Sequence, residues 1–214
     1  MAQARKWSNV AVAMQSAIAA SKTITSITQA NPGVATSVAH GLTNGNIVYL
    51  VIDGMSQLNG RIARVAGVTT DTFQLEGIDT TNFDTFSAGT CAVVTLGTSI
   101  TTATSISASG GDFDFIDTTT IHDNVRTQIP GIAASATYSM ENIWDVSDAG
   151  LLAMKSAYDS QAIRAFVFTF GVGGQKMYFA GYVGATLLPG GQAQGLVTTP
   201  ATITMFGSPT FYAS

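Results

Sequence analysis

The C-terminal segment, residues 136–214, constrains the fold of this chain more than any other part of the sequence. Residues 164–170 read Arg-Ala-Phe-Val-Phe-Thr-Phe, so an extended strand would carry three phenylalanines on one face and smaller residues on the other. The glycine-rich residues 171–174 predict a tight turn, and the chain then returns as a second strand over residues 175–183. Residues 137–144 and 202–206 also predict strands.

One helix is predicted in this extended segment, at about residues 147–158. Ser147 is expected to cap it, with Asp148 in the first turn, where the helix dipole favours an acid. Leu151 and Tyr158 are then expected on one face of the helix. The predicted fold class is therefore all-β with one flanking α-helix.

Residues 24–96 predict a small β-barrel. Short strand patterns such as residues 47–52 alternate there with turn signals, among them Asn44-Gly45 and Asp53-Gly54. The N-terminal segment is ambiguous, because residues 8–20 fit a short amphipathic helix and an extended strand equally well.

Residues 97–135 are rich in Ser, Thr and Gly and predict a long loop or arm. This segment carries four candidate functional acids, Asp112, Asp114, Asp117 and Asp123. They belong to an acidic span between Val65 and Val125 in which no Lys or Arg occurs. Such a surface repels nucleic acid rather than gripping its phosphates. Solvated acidic loops are the simpler alternative.

The composition favours self-association. Only 10% of the residues are charged and the mean hydropathy is +0.29, so few charges can cover the surface of a monomer. We expect much of that surface to be covered by copies of the same chain, with an ordinary Thr-rich soluble β protein as the alternative. No apolar run long enough for a transmembrane helix occurs, and the single cysteine, Cys91, cannot form an internal disulfide.

Residues that carry chemistry are sparse. His40 precedes a turn, His122 lies among acids, and no Gly-x-Ser-x-Gly elbow presents a nucleophile. The acids from Asp112 to Asp117 lack the spacing of a calcium loop and favour an acidic strand or arm. The turn at residues 171–174 joins two strands, unlike a phosphate-binding loop. The sequence therefore predicts no catalytic residue, no metal site and no cofactor.

Three stretches resemble the tail tube proteins of long-tailed, siphovirus-type bacteriophages. They are residues 120–131, the strand–helix–strand run that ends at Phe170, and the closing residues 197–210. The resemblance covers about residues 98–214 together with residues 1–20. It implies a β-sandwich or barrel protomer, six of which form a ring, and rings that stack into a hollow tube through which DNA passes during genome ejection without being bound specifically.

The same resemblance implies partners and a location. The partners would be further copies of the chain and other tail proteins, namely the tape measure, the tail terminator and the distal tail protein, with no membrane contact. The protein would be assembled in the host cytoplasm and reside in the virion tail. Long arms would bridge successive rings, and Asp112, Asp114, Asp117 and Asp123 would be candidates to line the lumen or the arm.

A second, local resemblance concerns residues 40–49, 54–60 and 71–79. They are similar to a small β-barrel repeat of phage structural proteins, which is related to the first catalytic-cysteine half-domain of ubiquitin-activating enzymes. The likeness implies only a scaffold and gives Cys91 no catalytic role. It divides the chain into the following parts: a tube segment 1–23, an inserted barrel 24–96, an arm 97–135 and a β-sandwich 136–214.

Two other functions compete with a structural role in a tail tube. The 24–96 barrel could serve as a virion-associated module that recognises a host-surface or glycan ligand. Its available aromatic residues are Tyr49, Phe73, Phe83 and Phe86. The third hypothesis is a hydrolase that uses His40 and His122.

Overall fold

The computed structural model of the protein describes residues 10–171 and 174–213, which form three β-sheets, one α-helix and a single turn of 3-10 helix at Ser56–Leu58. The strands are, in chain order, β1 (Val10–Met14), β2 (Ala17–Ile18), β3 (Lys22–Ile24), β4 (Ser26–Ile27), β5 (Val34–Thr36), β6 (Ile47–Asp53), β7 (Ile62–Ala66), β8 (Thr72–Leu75), β9 (Ala88–Thr95), β10 (Thr98–Ile100), β11 (Ala103–Ser109), β12 (Phe113–Asp117), β13 (Gln128–Ala133), β14 (Thr137–Ile143), β15 (Arg164–Phe170), β16 (Lys176–Gly184) and β17 (Thr198–Tyr212). The helix α1 spans Ala149–Ser160. The predicted all-β fold with one α-helix is confirmed.

The first sheet has seven antiparallel strands in the order β10-β1-β15-β16-β17-β14-β11. Its main core lies between the sheet and α1, where Leu151 and Met154 of the helix pack with the phenylalanines of β15 and β16. The Phe168 and Phe179 rings meet edge to face, with centroids 5.2 Å apart, a geometry that adds to the stabilisation from burial. The predicted phenylalanine row is confirmed, with Phe166 and Phe168 fully buried.

The second sheet has eight strands. Seven follow the order β2-β9-β6-β7-β8-β5-β4, and β3 also pairs with β9. Strand β6 alternates buried and more exposed residues, and its Val48, Leu50 and Ile52 point into a separate core. The central strand β9 was not predicted from the sequence. The domain boundaries proposed for residues 24–96 stay a prediction.

The two large sheets pack through a third apolar cluster. It joins Val167 and Tyr178 of the first sheet to Ile62 and Val94 of the second. A close backbone approach fixes this contact at Gly207, which has a φ of +76° and whose missing Cβ would lie 2.7 Å from the Asn59 carbonyl oxygen. Only glycine fits there without strain.

The N-terminal ambiguity is resolved in favour of a strand. Residues 10–14 form β1, which is inserted between β10 and β15, and both Val12 and Met14 enter the main core. Pairing on both sides of β1 decides the conformation, which local pattern alone leaves open. Residues 8 and 9 of this ambiguous segment lie outside the described residues.

The helix prediction is wrong at its start. The N-cap is Asp148, whose Oδ1 accepts a hydrogen bond from the Leu151 N–H at 2.8 Å. The Ser147 hydroxyl instead donates to Asp145 Oδ1 at 2.7 Å. Leu151 and Tyr158 lie seven positions apart in α1 and so share a side of the helix, where Leu151 is buried and Tyr158 is exposed.

The segment 97–135 is built of strands rather than one long loop. Strands β10 and β11 form the two edges of the seven-stranded sheet, whereas β12 and β13 pair, within the described part of the chain, only with each other. Gly110 connects β11 to this hairpin with a φ of +81°, and its missing Cβ would lie 2.5 Å from the Ser135 carbonyl oxygen. The sequence did not predict β11, because its residues are mostly Ala, Ser and Thr. They show no alternation of apolar and charged residues that would indicate a strand.

Candidate assembly surfaces

The β12–β13 hairpin and its connections, residues 110–135, form a projecting arm. The arm carries seven large apolar side chains, each more than half exposed: Phe113, Phe115, Ile116, Ile121, Val125, Ile129 and Ile132. Two of them, Ile121 and Ile132, are 96% and 87% exposed. A two-stranded hairpin is only marginally stable in water, and apolar patches of this kind mark contacts with other molecules. The arm is therefore a candidate surface for contact with another molecule.

The four predicted acids all lie on this arm and all are exposed. Asp112 precedes β12, Asp114 and Asp117 lie on β12, and Asp123 lies in the turn before β13. Two of them shape the turn. Hydrogen bonds from Thr119, together with Arg126, hold the pKa of Asp117 below its ordinary value.

Asp123 has a similar local role. Its Oδ2 accepts hydrogen bonds from the Thr120 N–H at 2.8 Å and from the Thr120 hydroxyl at 2.9 Å, which lower its pKa. Among the described residues no group of three or more His, Cys, Asp or Glu side chains is arranged to hold a metal ion. The sequence did not reveal the pairing of Asp117 with Arg126 across the hairpin, at 2.9 Å.

A second exposed apolar surface lies at the opposite end of β14. This end patch consists of Trp144, Val146, Leu188, Leu196 and Val197, all of them at least one third exposed. Trp144 holds it together, since its N–H donates to the Val197 carbonyl at 2.9 Å and its Nε1 donates to the Leu187 carbonyl at 3.0 Å. Sequence reasoning missed the patch. Its only signal is a pair of apolar dipeptides in a loop, residues 185–197, that contains no charged residue.

The seven-stranded sheet has two open edges. In the described part of the chain, β10 pairs only with β1 and β11 only with β14. A groove of about 380 Å³ runs between residues 10–13 and residues 99–106, beside these edges. Unpaired edge strands present free N–H and C=O groups to which another chain can bind.

One open face of the same sheet is covered with hydroxyl groups. Register places a row of Ser and Thr side chains side by side on β11, β14 and β17. This hydroxyl face consists of Ser105, Ser107, Ser109, Thr137, Ser139, Thr202 and Thr204. Glu141 is the one charged residue on these three strands that shares the face, between Ser105 and Pro200. The face is polar, nearly neutral and free of Lys and Arg.

Of the two histidines, His40 has a structural role. His40 is buried, its Nδ1 accepts the Leu42 N–H at 2.9 Å, and its ring meets Phe73 edge-on at 5.3 Å. His122 lies in the exposed turn of the arm. His40 is thus a structural residue of the second core.

Cys91 is buried in the second core as well. Burial raises the pKa of its thiol to about 11, although Lys22 opposes the shift. A thiol with so little thiolate is a poor nucleophile.

The aromatic residues considered for ligand recognition do not form an exposed cluster. Phe73 is fully buried, and Tyr49, Phe83 and Phe86 are half-buried against the apolar clusters. Stacking on a sugar needs an accessible ring face, so these four residues lend the glycan hypothesis no support.

Comparison with known proteins gives one match. A family model described as phage tail tube protein (TTP) matches residues 53–214. No curated protein matches the chain. The matched region begins at the last residue of β6, so it includes much of the predicted insertion as well as the arm and the end patch. The likeness to ubiquitin-activating enzymes stays a prediction. In the described residues no helix is long and apolar enough to cross a membrane.

Proposed function

Because this chain belongs to the phage tail tube protein family, we propose that six copies form a ring and that rings stack into the conduit through which DNA leaves the virion. The family is structural, so the protein is a component of the virion tail and not an enzyme. The observation that carries the proposal is the arm, whose seven exposed apolar side chains need a partner.

The sheet edges support lateral assembly. Strands β10 and β11 each have one unpaired side, and a groove lies beside them. Pairing between an edge of one copy and an edge of the next would satisfy free backbone groups and add a repeated contact around a ring. The number six comes from the family resemblance, and the stacking of rings is assigned to the arm.

The hydroxyl face is our candidate for the wall of the conduit. Binding of DNA depends mainly on contacts of Lys and Arg with phosphates, and this face offers neither. Glu141 adds a repelling charge. We place Asp112, Asp114, Asp117 and Asp123 on the arm surface between rings, where they can also border the lumen. The second sheet covers a different part of the curled first sheet, so we place it on the outside of the tube.

Electron microscopy of the purified protein tests the proposal directly. We expect rings or tubes in negative stain, alone or after addition of the other tail proteins, namely the tape measure, tail terminator and distal tail protein. Monodisperse monomers under all of these conditions would overturn it.

The wall assignment has its own test. Virions that carry Ser139→Lys should eject DNA more slowly than virions with Ser139→Gln, and the difference should shrink as salt rises, because phosphate contacts are screened. Equal ejection by both variants at low salt would remove the hydroxyl face from the lumen while leaving the tube itself in place.

A further inference from the structure

We propose that the end patch of one copy is the docking site for the arm of a second copy. The inference rests on the proposed function, since it names the surface by which one ring receives the next. Its basis is the placement of two exposed apolar surfaces at opposite ends of strand β14.

Strand β14 separates the two surfaces. The arm enters it at Thr137, and Trp144 of the end patch follows its last residue, Ile143. The seven residues of β14 span about 20 Å at roughly 3.3 Å per residue. Ser109 pairs with Thr137, the first residue of β14, and the arm extends from this end of the strand, away from the end patch. The end patch is accordingly still exposed in the single chain, where its own arm does not cover it.

The two surfaces are chemically compatible. The loop that contributes most of the end patch, residues 185–197, has no charged side chain, and Trp144 already ties up the carbonyls of Leu187 and Val197. On the arm, Asp117 is paired with Arg126, so its charge is compensated before docking. Asp123 on the arm and Asp145 beside Trp144 accept hydrogen bonds from Thr120 and Ser147. Docking through the apolar side chains, with Asp112 and Asp114 left in water, therefore buries no unpaired charge.

Geometry favours contact between arm and patch over contact between two arms. Two arms that docked on each other would form a closed, two-fold dimer and leave both end patches in water. Docking of an arm onto the patch of the next copy covers both surfaces, and each added copy presents a new arm and a new patch. The occupant of the end patch is thus a second copy of this chain.

Disulfide trapping tests this pairing with the full chain. One protein carries Ile121→Cys or Ile132→Cys on the arm, and a second carries Leu196→Cys on the end patch. After co-assembly and mild oxidation, a non-reducing gel should show a cross-linked dimer only in the mixture. The native Cys91 is buried and should not contribute. Phe211→Cys is the matched control, since Phe211 is as exposed as Leu196, at 67%, but lies at the arm end of the first sheet.

The outcomes separate the inference from the proposed function. Normal tubes with no arm–patch dimer at either arm position would overturn the docking site and leave the tube subunit intact. Dimers with Phe211→Cys in place of Leu196→Cys would move the docking site to the surface around Phe211 and overturn the inference as well. Failure of the unmodified protein to form rings or tubes would overturn both.

A charge placed in the patch gives an independent readout. Leu196→Asp should leave single rings but reduce mean tube length at least tenfold, because docking would bury a carboxylate. Val38→Asp, at a 72% exposed site in the turn that follows β5, should leave tube length unchanged. Tubes of normal length with Leu196→Asp would overturn the inference. If folded Leu196→Asp protein formed neither rings nor tubes, the inference would also be overturned, because the patch would then belong to contacts within a ring.

Discussion

The guanidinium carbon of Arg64 lies 4.4 Å from the centroid of the Tyr212 ring, and the Arg64 backbone N–H donates to the Tyr212 hydroxyl at 2.7 Å. Arg64 belongs to β7 of the second sheet and Tyr212 ends β17 of the first. Glu76 holds the guanidinium in place, accepting from Arg64 Nε at 2.6 Å. Two interactions between one pair of residues therefore join the C-terminal strand to the second sheet.

Removal of the Tyr212 hydroxyl should weaken this junction. Tyr212→Phe should lower the free energy of unfolding by about 1 kcal/mol, because one hydrogen bond across the sheets is lost while the ring remains. Tyr212→Ala should cost about 3 kcal/mol or more, since the buried ring is lost too. Urea denaturation of unassembled protein measures both. Phe211→Ala at the exposed neighbouring position should change stability by less than about 0.5 kcal/mol, and an effect equal to that of Tyr212→Ala would contradict the assignment.

The short distance between Gly207 and the Asn59 carbonyl oxygen leads to a second prediction. Gly207→Ala should destabilise the protein more than Gly41→Ala does. Both glycines have positive φ, +76° and +64°, so each alanine incurs about 1–2 kcal/mol of backbone strain. At Gly207 the new Cβ would also collide with the Asn59 carbonyl oxygen, whereas no atom of the described residues lies within 4 Å of the Cβ position at Gly41. Thermal unfolding of the two variants measures the difference, and equal losses would show that the sheets can separate slightly without cost.

The helix cap can be tested against the residue that the sequence favoured. Asp148→Ala should lower the free energy of unfolding by about 1 kcal/mol, because the Leu151 N–H loses its capping acceptor. Ser147→Ala should have a much smaller effect, since its hydroxyl bonds only to Asp145 at the surface. Chemical denaturation of both variants decides between them. A larger loss with Ser147→Ala would restore the cap predicted from sequence.

Cys91 makes the stability depend on pH. Burial raises its pKa from 9.0 to about 11, so the folded state holds the thiol proton more tightly than the unfolded state does. This contribution is complete below pH 9 and is lost as pH rises from 9 towards 11. The Cys91→Ala variant should lose less stability than the native protein over that interval, as measured by urea unfolding at each pH. Identical pH dependence of the two proteins would show that the thiol does not contribute.

The same burial protects the thiol chemically. At pH 8 the native protein should react with a thiol reagent such as dithionitrobenzoate far more slowly than the protein unfolded in urea. The unfolded protein is the matched control, since it has the same cysteine with an ordinary pKa. Equal rates would show that the second core opens freely.

Strands with dense apolar patterning were predictable from the sequence. Residues 164–170 were placed correctly to the residue and residues 47–52 to within one residue, because β-branched and aromatic side chains there alternate or run without interruption. The helix was placed within two residues at each end. Its cap was misassigned because Ser147 and Asp148 are both good capping residues and differ only in backbone conformation, which the sequence does not display.

The weakly patterned strands could not be predicted. Strands β9 and β11 are made largely of Ala, Gly, Ser and Thr, and they are held in place by their neighbours rather than by their own propensity. Of the two assembly surfaces, one was predictable from the sequence and the other was not. The arm was predicted as a segment, with its four acids, whereas the end patch depends on a loop that folds back onto Trp144 and has no counterpart in local sequence pattern.

The placement of the arm and the end patch at opposite ends of β14 gives any stack built through them a direction. At one terminus every arm would be unoccupied, and at the other every patch would be. The protein that begins the tail and the protein that ends it would then face different chemistry, a set of projecting apolar hairpins in one case and a set of shallow apolar sockets in the other. One capping protein could not bind both ends of the stack. The stack would also grow at different rates at its two ends.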